Sequence, residues 1–182
     1  MIEAIPPSDR NLILTGYIGP NQVVVARRIA QTLGMPFVNF ETRLEERADL
    51  PIDEIRLRFG QARLKTLEAE VVQELMLYRG AVILVSGQTL LHSDYLPRLS
   101  DTGQVICLVA SLDAVLQRVH LALGARYHNP AERAIAVGHL KREWAIRKAP
   151  GVEEFDTTGM TENEIVQAIC DLWREQVLYI RE

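Results

Sequence analysis

The stretch Gly16-Tyr17-Ile18-Gly19-Pro20-Asn21-Gln22-Val23 decides the fold. The apolar run Asn11–Thr15 before it reads as a short buried strand, and Val23–Leu33 after it reads as a helix stopped by Gly34. A strand, a glycine-containing turn and a helix form the context of a phosphate-binding loop, whose working pattern is G-x-x-x-x-G-K-[ST]. Gly16 supplies the first glycine and Gly19 lies within the loop. Asn21 stands at the second glycine, Gln22 at the lysine and Val23 at the hydroxyl residue.

Each replacement has a physical consequence. The lysine of such a loop places a positive charge on the terminal phosphates, and Gln22 offers only a neutral amide, whose hydrogen bonds are roughly half as strong as charge-assisted ones. The hydroxyl ordinarily ligates Mg²⁺, and Val23 has no side-chain oxygen. Pro20 removes one N–H from the cradle. Asn21 tolerates positive φ better than most residues, which is compatible with survival of the turn. Two readings of the stretch stand: a strand-to-helix turn without a ligand, or a residual anion site at the start of the helix, taking sulfate or phosphate weakly.

Outward from the loop, apolar strand-like runs recur at Pro36–Asn39, Ala81–Ser86, Gln104–Ala110 and Glu153–Thr157. Helical patterns over Pro51–Arg79, Ser111–Leu123, Pro130–Arg147 and Thr161–Tyr179 separate them. Continuous apolar strands alternating with helices predict a parallel sheet covered on both faces. Thr161 and Glu164 have the spacing of a capping box. There is no repeat, low-complexity tract or linker, so residues 1–182 read as one domain with a core over about 11–172. The charged segment 41–67 reads as a helical excursion over the sheet edge, and the punctuated segment 121–138 as a mobile flap.

The 182 residues carry a formal charge of −4, which argues against broad nucleic-acid binding. No run is long enough to span a membrane, and the acidic, proline-containing start is unlike a signal peptide. Cys107 and Cys170 are isolated, so neither a disulfide framework nor a metal site is expected. These features describe a soluble protein of a reducing cytoplasm. His92, His120, His128 and His139 lack metal-ligand spacing and read as surface or core residues, and Trp144 and Trp173 as packing residues.

The pattern as a whole resembles the shikimate kinase family of small-molecule kinases, from about Asn11 to about Leu172. Gly16-Tyr17-Ile18-Gly19 matches the first half of that family's loop. The strand-end acids of the family fall on Asn39 and Glu41, the first of them lost as a metal ligand except for a weak amide oxygen. Leu44–Ile55 follows the family's stretch I-E-E-R-x-G-x-x-I-x-E-I-F. Gly60–Glu68 aligns with G-E-x-x-F-R-x-x-E, with Lys65 at the substrate-binding arginine. Ser86-Gly87-Gln88 takes the place of a triple-glycine turn and reads as a plain turn. Arg126 takes the place of the lid arginine and Arg142 that of a later substrate-binding arginine.

The resemblance implies a three-layer α/β/α fold with a five-stranded parallel sheet, a substrate-binding helical part over 41–67 and a lid over 121–138. It implies residual substrate contacts at Glu41, Lys65, Gly87 and Arg142, and residual phosphate or nucleotide contacts at Gly16, Gly19, Asn21, Gln22, Val23 and Arg126. Three functional readings follow. The leading one is a catalytically impaired relative acting as a ligand-binding or regulatory module, with a small-molecule, anion or protein partner. The second is an active kinase for shikimate or a related hydroxylated metabolite. It would use ATP and Mg²⁺, with Arg126 or another basic residue replacing the lysine. The third is an interaction scaffold without a small ligand.

Overall fold

A computed structural model of the chain describes residues 6–179. Five parallel strands form one sheet: β1 (Asn11–Gly16), β2 (Phe37–Asn39), β3 (Val82–Leu84), β4 (Gly103–Val109) and β5 (Val152–Asp156). Their spatial order is β2-β3-β1-β4-β5. The helices are α1 (Gln22–Leu33), α2 (Phe40–Ala48), α3 (Ile52–Leu75), α4 (Gly87–Leu90), α5 (Tyr95–Ser100), α6 (Leu112–Leu123), α7 (Pro130–Arg142) and α8 (Glu162–Tyr179). The expected three-layer architecture is present. No helix among the described residues is long and apolar enough to cross a membrane.

Strand alternation divides the core into two layers. Ile13, Ile83, Val105 and Cys107 face α2, α3 and α5, where Phe40, Leu44, Leu67, Val71 and Leu99 bury. Leu12, Leu14, Ile106 and Leu108 face the other way, against Val25 and Ile29 of α1, Val115 of α6, and Ile165, Ile169 and Trp173 of α8. Asn11 starts the central strand with its side chain fully satisfied. Its Nδ2 donates to the Tyr78 carbonyl at 2.9 Å and to Thr102 Oγ1 at 3.2 Å, and its Oδ1 accepts the Ala81 N–H at 3.0 Å.

Two helices differ from the sequence reading. The helix expected over Pro51–Arg79 is broken at Gly60, where φ is 75° and ψ is 178°. The helix expected over Pro130–Arg147 stops at Arg142, and a 3-10 turn at Ala145–Lys148 then buries Ile146 against Gly87. Trp144 is correspondingly 58% exposed, with the Arg147 guanidinium 4.7 Å above its ring, so it is not a packing residue. The short helices α4 and α5 escape a periodicity reading because neither is long enough to show a period. The Thr161 capping box forms as expected, with the Glu164 carboxylate accepting the Thr161 N–H at 2.7 Å and Thr161 Oγ1 accepting the Glu164 N–H at 3.3 Å.

The excursion 41–67 is tied down by charge. Glu74 of α3 accepts from Arg43 and, at 2.7 Å, from Arg47 of α2. Arg43, and then Arg47, hold the Glu74 carboxyl below its ordinary range. A depressed folded-state pKa contributes stability that is present above the unfolded value and lost as pH falls through the folded one. Both arginines are partly solvated, so screening keeps the effect small. Glu74→Gln is expected to lower unfolding free energy by about 1 kcal/mol near neutral pH. Urea unfolding of parent and variant should show this difference vanishing once the pH lies below the folded-state pKa of Glu74.

Candidate functional site

The site lies at the carboxyl ends of the strands, where the order reverses around β1, the usual crevice of an open α/β sheet. Gly16 ends β1 with φ 92°, and a Cβ there would sit 2.1 Å from the Leu108 carbonyl oxygen, so only glycine fits. The turn survives, with its second positive φ at Gly19 (141°) and not at Asn21. Asn21 has φ −93° and serves a different purpose, donating from Nδ2 to Glu162 at the start of α8, at 2.8 Å.

Gln22 is 9% exposed and its amide closes the loop from inside. Its Oε1 accepts the Ile18 N–H at 3.1 Å and its Nε2 donates to the Gly16 carbonyl at 2.7 Å. The Ile18 donor is therefore already satisfied. An anion seated in the turn would have to displace the amide to reach that donor. Arg118 of α6 closes the outer side. Its guanidinium donates to the carbonyls of Ile18 (3.0 Å), Thr157 (2.7 Å) and Met160 (3.2 Å), and to Thr157 Oγ1 (3.1 Å). These contacts turn the cation toward protein oxygens.

Two cavities flank the loop. One, of about 460 Å³, lies between the loop, α6 and the start of α8, and is lined mostly by apolar groups, among them Ile18, Val25, Leu121 and Met160. The other, of about 360 Å³, lies between the loop, the ends of β2 and β3, and α7. Gly16, Gly19, Gln22, Val23, Asn39 and Glu41 all line the second cavity.

The remaining sequence candidates separate. Asn39 lines the cavity, but its Oδ1 accepts the Glu41 N–H at 3.2 Å and caps α2. Glu41 is exposed at the cavity edge; desolvation of its carboxyl by surrounding protein and then Glu45 raise its pKa against the pull of Arg142. Arg142 is thus near Glu41, and it donates from Nε to the Gly138 carbonyl at 3.3 Å. Lys65 is exposed on α3 and does not line either cavity. Arg126 is exposed in the lid-like segment, paired with Glu132 at 2.7 Å, and also lines neither cavity. That segment is a 3-10 turn at Gly124–His128 followed by α7.

Sequence reasoning missed Glu143 and the placement of His139. The Glu143 Oε2 accepts the Gly87 N–H at 2.6 Å, beneath Ser86, which caps α4 by accepting the Thr89 N–H at 3.1 Å. Burial raises the Glu143 pKa, opposed by backbone hydrogen bonds from Gly87, Gln88 and Gly16. A Cβ at Gly87 would lie 2.6 Å from that same oxygen. His139 stacks on Tyr17 with ring centroids 4.9 Å apart, and burial followed by Arg142 lowers its pKa. Glu143 immediately follows Arg142, but its partner is 56 residues away, so no local spacing reveals it.

The donor set of the second cavity does not match a Mg²⁺–triphosphate. Val23 offers no oxygen, the Asn39 oxygen caps a helix, and no lysine or arginine lines the second cavity. Hard cations favour charged oxygen with open coordination sites, and phosphate groups need positive partners.

The shikimate kinase family model matches residues 23–173, beginning at the last of the altered loop positions. A shikimate kinase of Geobacter sulfurreducens is 30% identical over 177 residues, covering 94% of this chain and 95% of that protein. Among solved structures, the shikimate kinase of Acinetobacter baumannii in complex with shikimate superposes with a TM-score of 0.72 at 21% identity, covering 93% of this chain and 96% of that one. That of Bacteroides thetaiotaomicron gives 0.71 at 20% identity, covering 91% and 98%.

Gln22→Ala removes both bonds that close the loop. It is expected to cost about 2 kcal/mol of stability, at roughly 1 kcal/mol per net hydrogen bond. Thermal unfolding with added sulfate should then stabilise the variant and leave the parent unchanged. Equal stabilisation of both proteins would show that the amide does not fill the anion position.

Proposed function

We propose a non-catalytic role for this chain, which belongs to the shikimate kinase family: a ligand-binding or regulatory module that has given up phosphoryl transfer. The observation that carries this reading is the Gln22 amide bonded across the loop, between the Ile18 N–H and the Gly16 carbonyl. Phosphoryl transfer is mostly positioning and charge stabilisation, and little covalent chemistry is left for other residues to supply. A neutral amide in the loop, a valine at the metal hydroxyl and a capping asparagine remove three contributions to one transition state. A basic residue taking over from the lysine would have to enter the cavity. Arg126 points to Glu132 instead, and Arg118 is held by three carbonyls and a hydroxyl. The two cavities beside the loop favour a module that still holds a small molecule over a bare scaffold.

Calorimetric titration and a coupled assay test this directly. Mg-ATP is expected to bind far more weakly than in ordinary kinases of this fold, with no appreciable phosphorylation of shikimate. Sustained shikimate-dependent ADP release at about 1–100 s⁻¹, the usual range for kinases, would overturn the reading.

Restoring the loop asks how much else has changed. The triple substitution Asn21→Gly, Gln22→Lys and Val23→Ser releases the Glu162 tether and the internal amide, and returns the phosphate charge and the metal hydroxyl. Nucleotide binding is expected to rise at least tenfold by calorimetry, and adding Asn39→Asp should strengthen its Mg²⁺ dependence. Catalysis should recover less than binding, because Lys65, at the position of the family's substrate-binding arginine, is a point charge lying outside both cavities. A folded triple variant that binds no more nucleotide than the parent would favour the scaffold reading.

A further inference from the structure

The second cavity is acidic. Glu41, Glu132 and Glu143 line it, together with Tyr17 and His139, and no lysine or arginine does. The three acids are not equivalent. Glu132 is paired with Arg126. Glu41 is exposed at the edge and feels Arg142. Glu143 is held by backbone N–H groups and has no basic side chain bonded to it among the described residues.

Its seat is specific. The carboxylate reaches the Gly87 N–H at 2.6 Å only because Gly87 lacks a side chain, since a Cβ would meet the same oxygen. Beside it, the Gln22 amide takes the Ile18 N–H. The Gly87 and Ile18 N–H groups are thus bonded to the chain's own side chains, one of them a carboxyl group. A ligand carboxylate or phosphate entering here would meet like charge in a partly desolvated space, where repulsion is stronger than in water. A ligand bringing N–H or O–H donors would meet carboxylate oxygens with unused acceptor capacity.

We infer that Glu143 sets the charge class of the ligand, and that the cavity takes a hydroxylated small molecule with hydrogen-bond donors and no negative charge, best when it carries an amine. The inference rests on the ligand-binding reading above and gives that reading a substrate class. Glu143 is a specificity-determining residue in this account, and Glu41 reinforces it from the edge.

A matched ligand series separates the outcomes. Shikimate, its uncharged methyl ester, and the analogue with an aminomethyl group replacing the carboxylate share one ring and differ in charge. Calorimetry on the full chain should rank them amine, ester, carboxylate, with at least tenfold between the first and last. Glu143→Gln can keep an acceptor for the Gly87 N–H while removing the charge, and should shrink that ratio to about threefold or less. Should that variant fail to fold, Glu41→Gln is expected to narrow the ratio in the same direction by a smaller factor. A parent that binds shikimate as well as the amine, or that binds neither ester nor amine at 10 mM, overturns the inference. So does a ratio unchanged in the folded Glu143→Gln variant and in Glu41→Gln. Turnover of shikimate would instead overturn the non-catalytic reading, so the two failures are distinguishable.

Discussion

The buried amide of Gln22 is the constraint on which the site depends. A glycine-rich turn ahead of a helix gathers backbone N–H groups at one point, and buried donors of that kind must be satisfied. In a nucleotide-binding loop the ligand's phosphates supply the acceptors. Here Gln22 supplies one itself, accepting from Ile18 and donating to Gly16, so part of the turn is satisfied without a ligand. Asn21 and Arg118 fix the same turn from outside, to α8 and to the segment following β5. The surviving shape of the loop therefore carries no implication that phosphate binds in it.

Much of the fold was legible because the signals were local and repeated. The apolar strands and the Thr161 capping box depend on residues a few positions apart, and they appear where the spacing puts them. The helix break at Gly60 was less legible, because a single glycine inside a helical pattern is usually tolerated at modest cost. The lost lysine and hydroxyl could be read directly, since a motif defines its own missing members. What replaced them could not. The Gln22 side chain could have pointed to solvent, and only the closed turn shows that it folds inward.

Glu143 shows the other limit. Its partner, Gly87, lies on a different strand-to-helix connection, and the contact requires α7 to end at Arg142 so that the next residue turns into the cavity. Periodicity suggested one continuous helix to Arg147, which would have hidden that turn. The family resemblance pointed to Glu41, Lys65 and Arg142 separately; Glu41 lines the second cavity and feels Arg142, which does not line it, and Lys65 carries its charge on an exposed face of α3 outside it. Resemblance located positions, but it could not say which charges would be facing one another.

The internal hydrogen bonds of Gln22 and Glu143 are physically consistent with one another. Removing a lysine alone would leave a donor-rich turn with nothing to bind, and burying unpaired donors costs roughly 1–3 kcal/mol each. Gln22 satisfies one such donor, and Glu143 satisfies the Gly87 N–H at the start of α4. The hydrophobic layers on both sides of the sheet are built from residues distant from these contacts, such as Ile13, Val71, Ile29 and Ile169. The packing that holds the scaffold is therefore separate from the internal hydrogen bonds that Gln22 and Glu143 make at the crevice.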